Sequence, residues 1–238
     1  MELINDIKFT IHPLGDSALV INFGNVIDEA INKNVLLIFK TLKNIFLPEI
    51  IDIVPAYSSL AVYYDVLAIR KRNNTNTSAF EIFSEEIKNI IQENKAIPLS
   101  PPRNVKIPAC YSEKYALDIK DIAQQKNLSH EEIIRLHTSK TYRVYMIGFL
   151  PGFPYMGEVD ERIAIPRKSE PRTIVEAGSI GIAGKQTGIY PLDSPGGWQI
   201  IGKTPLKLFN KEEDDPVIFK PGDEVEFYSI SEDEFTNY

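Results

Sequence analysis

AGSIGIAGKQTGIYP, residues 177–191, decides how the second half of the chain is read. Gly178–Ala183 is a short β-prone run, and Gly178, Gly181, Gly184 and Gly188 let the backbone come close to a neighbour. Either barrel hairpins or exposed N–H donors account for those glycines. Their spacing matches neither a P-loop nor a dinucleotide fingerprint, so an independent ATP site is not expected. Outward from this stretch, Thr141–Ile147, Arg162–Ile165, Gly197–Gly202, Leu206–Phe209 and Glu224–Ile230 are further β-prone runs punctuated by Gly and Pro, the pattern of a compact barrel. Ahead of them come a strand at Val105–Ala109 and helices at about Asp118–Lys126 and Ser129–Thr138, the second opened by Ser129 with Glu132 three residues on.

The chain changes character near residue 100. Eleven of the 13 glycines fall between Gly148 and Gly222, while the first hundred residues hold only Gly15 and Gly24. The proline cluster from Ile97 to Arg103 can neither continue a helix nor sit in a central strand. The expected organisation is a domain over 1–97, a Pro-rich linker over 98–104 and a second domain over 105–238. In the first, Ile7–Ile11, Ala18–Phe23, Ile50–Val54 and Ser59–Tyr64 read as strands and Asp28–Lys43 as an amphipathic helix. After a polar loop from Arg70 to Thr77, Ser78 and Glu81 have capping-box spacing ahead of a second helix. The order ββαββα implies a small α+β sandwich.

Composition narrows the function classes. The 238 residues are 43% hydrophobic and 25% charged, as in a folded globule, and 26 basic against 33 acidic residues give a net −7. That balance lacks the basic excess of a nucleic-acid binder. The single Cys110 cannot form an internal disulfide, and no paired Cys/His spacing points to a metal. Neither signal peptide nor membrane span is evident, so a cytoplasmic location is expected.

Three loops stand out as places for chemistry. Gly148 to Gly157 spends three aromatics, three glycines and two prolines on ten residues; Phe149, Pro151, Phe153 and Tyr155 either face a partner or plug the barrel's end. Trp198, the only tryptophan, follows Ser194-Pro195-Gly196-Gly197 and either lines a pocket or fills a core. Residues 140–207 carry nine Lys/Arg and six Asp/Glu, a net +3 within an acidic protein. Arg143, Arg167, Lys168, Arg172 and Lys185 are therefore candidates to attract a carboxylate, or simply a solvated face. His137, at a helix end where a positive charge is favourable, is a candidate general acid or base.

These segments together resemble a known family. HTS (137–139) with TYRV (141–144), GFLPGFPYMG (148–157), IPRKSEPRT (165–173), AGSIGIAGKQTGIYP (177–191) and SPGGWQIIGKTPLKLF (194–209), with PLGDSAL (13–19), VPAYSSL (54–60) and KPGD (220–223), look like the family of KipI and the 5-oxoprolinase B subunit, also called allophanate hydrolase subunit 1. The resemblance implies a small α/β sandwich N-terminal domain followed by a cyclophilin-like β-barrel. It implies one component of an ATP-dependent 5-oxoprolinase that opens 5-oxo-L-proline to L-glutamate, working with a KipA-like protein and a LamB/YcsF-like protein as the other two components. As the alternative, it allows an inhibitor of a sporulation histidine kinase, docking through Phe149, Phe153, Tyr155 and Trp198. On the enzyme reading, Arg143, Arg167 or Arg172 holds the substrate carboxylate, Gly184, Gly188 and Ser194 supply donors, and His137, Gln186 or Tyr190 orients the reacting group. ATP contacts are expected to be completed by a partner, no metal is expected in this chain, and the chain alone should be nearly inactive.

Overall fold

Asp28 and Ser78 start the helices that cover the first sheet, each with a side-chain oxygen accepting from a backbone N–H three residues on. The structure, a computed structural model, describes residues 8–73, 75–93, 97 and 99–238; Ile7 of the first expected strand and Pro98 of the expected linker lie outside them. The chain separates into two compact units, Met1–Pro101 and Pro102–Tyr238.

The first unit runs β1 (Thr10–Pro13), β2 (Ala18–Asn22), α1 (Glu29–Asn44), β3 (Ile50–Pro55), β4 (Ser59–Tyr64), α2 (Val66–Arg72) and α3 (Ala79–Glu93). Its antiparallel sheet has the order β1-β2-β4-β3. The two-residue period of a strand puts Leu19 and Ile21 of β2 on one face with Leu60, Val62 and Tyr64 of β4, and that face packs on Val35, Ile38 and Leu42 of α1 and Phe83, Ile87 and Ile91 of α3. The short α2 enters the expected loop as far as Arg72. Asp65 caps it by accepting from the Ala68 N–H, and Ile69 is buried.

The second unit runs β5 (Asn104–Ala109), α4 (Ile119–Lys126), α5 (His130–Thr138), β6 (Thr141–Ile147), β7 (Pro154–Gly157), β8 (Arg172–Val175), β9 (Ser179–Ala183), β10 (Gln186–Ile189), β11 (Ser194–Gly196), β12 (Gln199–Lys203), β13 (Glu224–Ser229) and α6 (Glu232–Thr236). Seven strands form one sheet in the order β12-β9-β10-β7-β6-β13-β5, antiparallel except for β13 against β5. The sheet curls until its outer strands meet at one residue pair, Cys110 with Lys203, whose N–H groups donate to each other's carbonyls at 2.8 and 2.9 Å. Its main core gathers Tyr142, Val144, Met156, Ile180, Ile182 and Phe227 against Ile119 and Ile122 of α4 and Ile133 and Leu136 of α5.

Two expected strands are absent as such. Arg162–Ile165 is a turn, because Asp160 accepts from both the N–H and the guanidinium of Arg162; only Ile165 reaches a neighbour, Gly184. Leu206–Phe209 likewise contributes one bridge, Phe209 to Val217. Conversely β7, β10 and β11 arise from three- or four-residue runs containing Pro or Gly, which local propensity disfavours, and β8 (RTIV) is a strand-favouring run of only four residues that finds its pair in β11. Among the described residues no helix is long and apolar enough to cross a membrane.

Candidate functional site

Glycines on β9 and β10 leave room for a bed of aromatic rings. Gly188 pairs with Gly181 across the two strands. A Cβ on Gly188 would meet the Phe153 ring at 2.9 Å and the Pro154 carbonyl at 2.8 Å; one on Gly181 would meet the Trp198 Cβ at 3.0 Å. The small residues thus let the 148–157 loop and the start of β12 lie flat on the strands, forming a second cluster of Phe153, Val175, Ala183, Tyr190, Trp198 and Ile200. Phe153 is its hub, edge-on to Tyr155 at 4.9 Å, Tyr190 at 5.2 Å, Trp198 at 5.4 Å and Phe149 at 5.6 Å between centroids. Such pairs each contribute about 0.5–1.5 kcal/mol beyond their burial.

A cleft of about 220 Å³ opens over this bed, lined by Phe149, Phe153, Tyr155, Arg167, Pro171, Tyr190 and the 195–198 turn. Phe149 stands at the rim, 61% exposed, in a left-handed backbone conformation at φ 68° that is strained for a side chain of its size. Arg167 is the only charged residue of the lining, with its guanidinium 5.9 Å from the centre of the Trp198 ring. Among the described residues it has no carboxylate partner. Burial raises the Tyr190 phenol, against a backbone hydrogen bond from Trp198 and the charge of Arg167; burial likewise raises Tyr155 against Arg167. Both phenols therefore stay protonated at neutral pH.

The segment carrying Arg167 is tied down on both sides. Gln199 Nε2 donates to the Pro166 carbonyl at 3.2 Å, and the Lys168 N–H donates to the Gly197 carbonyl at 2.8 Å. Lys168 Nζ and both terminal nitrogens of Arg172 donate to Asp118, which is 1% exposed. The Ile200 N–H donates to the same carboxylate at 2.6 Å. Burial alone would raise the Asp118 carboxyl, but Arg172, Lys168 and the Ile200 N–H outweigh it and hold it below the usual range. Asp118 gives no side-chain cap to α4 because its oxygens are occupied in this way.

The structure brings some of the expected site residues together and sets others apart. Phe149, Phe153, Tyr155, Arg167, Tyr190 and Trp198 share the cleft. Pro151 is exposed in the loop and does not line it. Arg172 is not available for a substrate carboxylate, because it is spent on Asp118. Arg143 sits in mid-sheet opposite Gly157 and Glu224, outside the cleft lining. Gln186 opens β10 opposite Ala183 and Gly157, also outside it. Ser194 is buried in β11, its hydroxyl without a hydrogen-bond partner among the described residues, beside the cleft but not on it.

The glycine-rich stretch is no phosphate cradle. Gly184 turns the two-residue hairpin between β9 and β10 at φ 60°, and its N–H donates to the Ile165 carbonyl at 2.6 Å. The Gly178 N–H donates to the Tyr190 carbonyl, while Gly181 and Gly188 serve close packing. These residues do not fit a nucleoside triphosphate.

His137 is corrected most sharply. It is 0% exposed, and burial pushes its imidazole down to about 3, so it carries no charge for the helix end at neutral pH and is out of reach of a ligand in the cleft. Thr187 Oγ1 donates to the Gly181 carbonyl, so it accepts from His137 Nε2–H at 3.0 Å, and Nδ1 accepts from the Tyr111 hydroxyl at 2.8 Å. Tyr142 and Phe227 pack against the ring. Tyr111, Thr187, Asp118 and Pro171 were not among the expected site residues.

Gly196 is a sensitive point of the cleft floor. A Cβ there would overlap the Tyr190 hydroxyl oxygen and lie 2.8 Å from its ring. Gly196→Ala is expected to displace Tyr190 and destabilise the chain by about 1–3 kcal/mol, measured by urea unfolding followed through Trp198. An unchanged unfolding midpoint would show that the floor yields without cost.

Comparison with known proteins fits this picture. The family described as carboxyltransferase domain, subdomain C and D, matches residues 9–219. The 5-oxoprolinase B subunit of Bacillus subtilis (strain 168) is 42% identical over 233 residues, 98% of this chain and 97% of the relative. The chain belongs to this family. A second relative of the same name, from Escherichia coli O157:H7, is 34% identical over 90% of this chain and 93% of its own. Among solved structures, the protein TTHA0988 is similar over 90% of this chain with a TM-score of 0.76 and 33% identity, and the match takes in 40% of that longer chain. The span matched by the carboxyltransferase family takes in Asp118 and every residue of the cleft.

Proposed function

We propose that this chain is the B subunit of an ATP-dependent 5-oxoprolinase, opening 5-oxo-L-proline to L-glutamate together with a KipA-like protein and a LamB/YcsF-like protein as its C and A components. The observation that carries the reading is the 42% identity with a 5-oxoprolinase B subunit, which extends along nearly the full length of both chains. The cleft supports it: 5-oxoproline is a small, nearly flat lactam with one carboxylate, and the cleft offers aromatic faces with one unpaired cation, Arg167. On this reading Arg167 anchors the carboxylate, Trp198 and Tyr155 flank the ring, and the Tyr190 and Tyr155 hydroxyls are the polar groups nearest the reacting amide. Phe149 at the rim is the contact offered to a partner protein.

Amide resonance stabilises the lactam, so its opening needs a driving force that these residues do not supply. ATP is held by the partner proteins on this proposal, and the chain alone is inactive. The joining of the outer strands at Cys110 and Lys203 supports a cyclophilin-like barrel for the second unit; a barrel shape carries no prolyl isomerase activity with it.

The test is reconstitution. ADP release and glutamate formation from 5-oxo-L-proline should require this chain, the KipA-like protein and the LamB-like protein together, and stop when any one is omitted. An inert complete mixture, with the chain alone blocking autophosphorylation of a histidine kinase, would instead make the cleft and its Phe149 rim a docking face.

A further inference from the structure

We infer that Asp118, which lies outside the cleft, is a positioning residue that sets Arg167 against Trp198 and thereby fixes the affinity for the substrate carboxylate; the carboxylate part rests on the function proposed above. One buried carboxylate gathers three separate parts of the chain. Its own backbone N–H donates to the Ile200 carbonyl at 2.8 Å, and its Oδ2 accepts from the Ile200 N–H at 2.6 Å, so the start of α4 is locked to β12 two residues beyond Trp198. Lys168 Nζ reaches Oδ1 at 2.9 Å, and Arg172 binds both oxygens at 2.6 and 2.9 Å. Arg167 and Pro171, the two residues of this segment that line the cleft, lie beside or between those anchors.

The arrangement also explains why the cleft holds a single free cation. Lys168 and Arg172 both follow Arg167 within five residues, and both are neutralised by Asp118. A bidentate guanidinium–carboxylate pair has a fixed geometry, which a lone lysine pair lacks. The segment is therefore held in register on the Trp198 side, and Arg167 is left as the one positive group facing a ligand. Without Asp118, three cations would crowd the same segment and repel one another.

The experiment combines steady-state kinetics of the reconstituted complex with fluorescence of the isolated full chain, whose only tryptophan is Trp198. Asp118→Asn is expected to raise the KM for 5-oxo-L-proline about tenfold or more while kcat stays within about twofold, because binding is weakened and the reacting groups are not touched. Trp198 emission should move to longer wavelength as the segment lifts from the ring. Lys168→Met, which leaves Asp118 held by Arg172 and Ile200, should raise KM by about threefold with a smaller emission change, and it serves if Asp118→Asn does not fold. An active wild-type complex with KM and Trp198 emission unaltered in the variants would overturn the positioning role. An inert wild-type complex, with the emission shift present, would overturn the proposed function and leave the positioning of Arg167 standing.

Discussion

Arg167→Met in the reconstituted complex is expected to raise the KM for 5-oxo-L-proline by about 10- to 140-fold, with no loss of folding stability. The size follows from the interaction removed: a hydrogen-bonded contact to a charged group contributes about 1.5–3 kcal/mol, and each 1.4 kcal/mol is tenfold in affinity. The neutral fold follows from exposure, because Arg167 forms no ion pair among the described residues and methionine keeps an apolar stem against Trp198. Lysine at this position should recover only part of the loss, since a point charge cannot reproduce the planar fork. A lactam without the carboxylate, such as 2-pyrrolidinone, should inhibit wild type and variant equally. An unchanged KM in Arg167→Met would remove the carboxylate anchor from the cleft, and neighbouring cations could not stand in for it, since Lys168 and Arg172 are committed to Asp118.

The sequence was informative wherever a pattern is local. Capping boxes at Ser78 and Ser129 start helices as their spacing predicts, and the periodic apolar residues of Asp28–Lys43 form the buried stripe of α1. The aromatic loop and Trp198 drew notice by composition alone, and they do line one cleft. Their two readings, core or pocket, turn out to be one arrangement: Phe153 and Trp198 are buried beneath a surface that Phe149 and Arg167 leave open. Pairing between distant segments was not legible. Nothing near Asp118 in sequence announces Lys168 and Arg172, 50 and 54 residues on, so Arg172 reads as a free cation until its partner is seen. The strands β10 and β11 are invisible for a related reason: Gly188 and Gly196 are required by the close approach of the Phe153 and Tyr190 rings, not by strand propensity. His137 misleads because a helix end suggests solvent, whereas α5 ends under the sheet.

His137→Leu should separate a structural from a catalytic imidazole. The substitution keeps a similar apolar volume but leaves the buried Tyr111 hydroxyl without its acceptor and Thr187 without its donor. An unsatisfied buried polar group costs about 1–3 kcal/mol, and with the second lost bond the expected destabilisation at pH 7 is about 2–4 kcal/mol by urea unfolding. The pH dependence gives a second, independent signature. The folded imidazole is pushed down to about 3, below the value of about 6.5 in an unfolded chain. Between those values the unfolded state binds a proton that the folded state does not, so wild-type stability is fully present above about pH 6.5 and falls as the pH drops toward 3. This one group adds a slope of up to about 1.4 kcal/mol per pH unit, which leucine cannot contribute. The gap between wild type and His137→Leu should therefore narrow from pH 7 to pH 5, while every other acid-sensitive carboxylate acts equally on both. A variant as stable as wild type with parallel pH profiles, yet inactive in the complex, would return His137 to the reaction; a narrowing gap makes it the neutral relay that holds β9, β10 and the segment after Cys110 in one core.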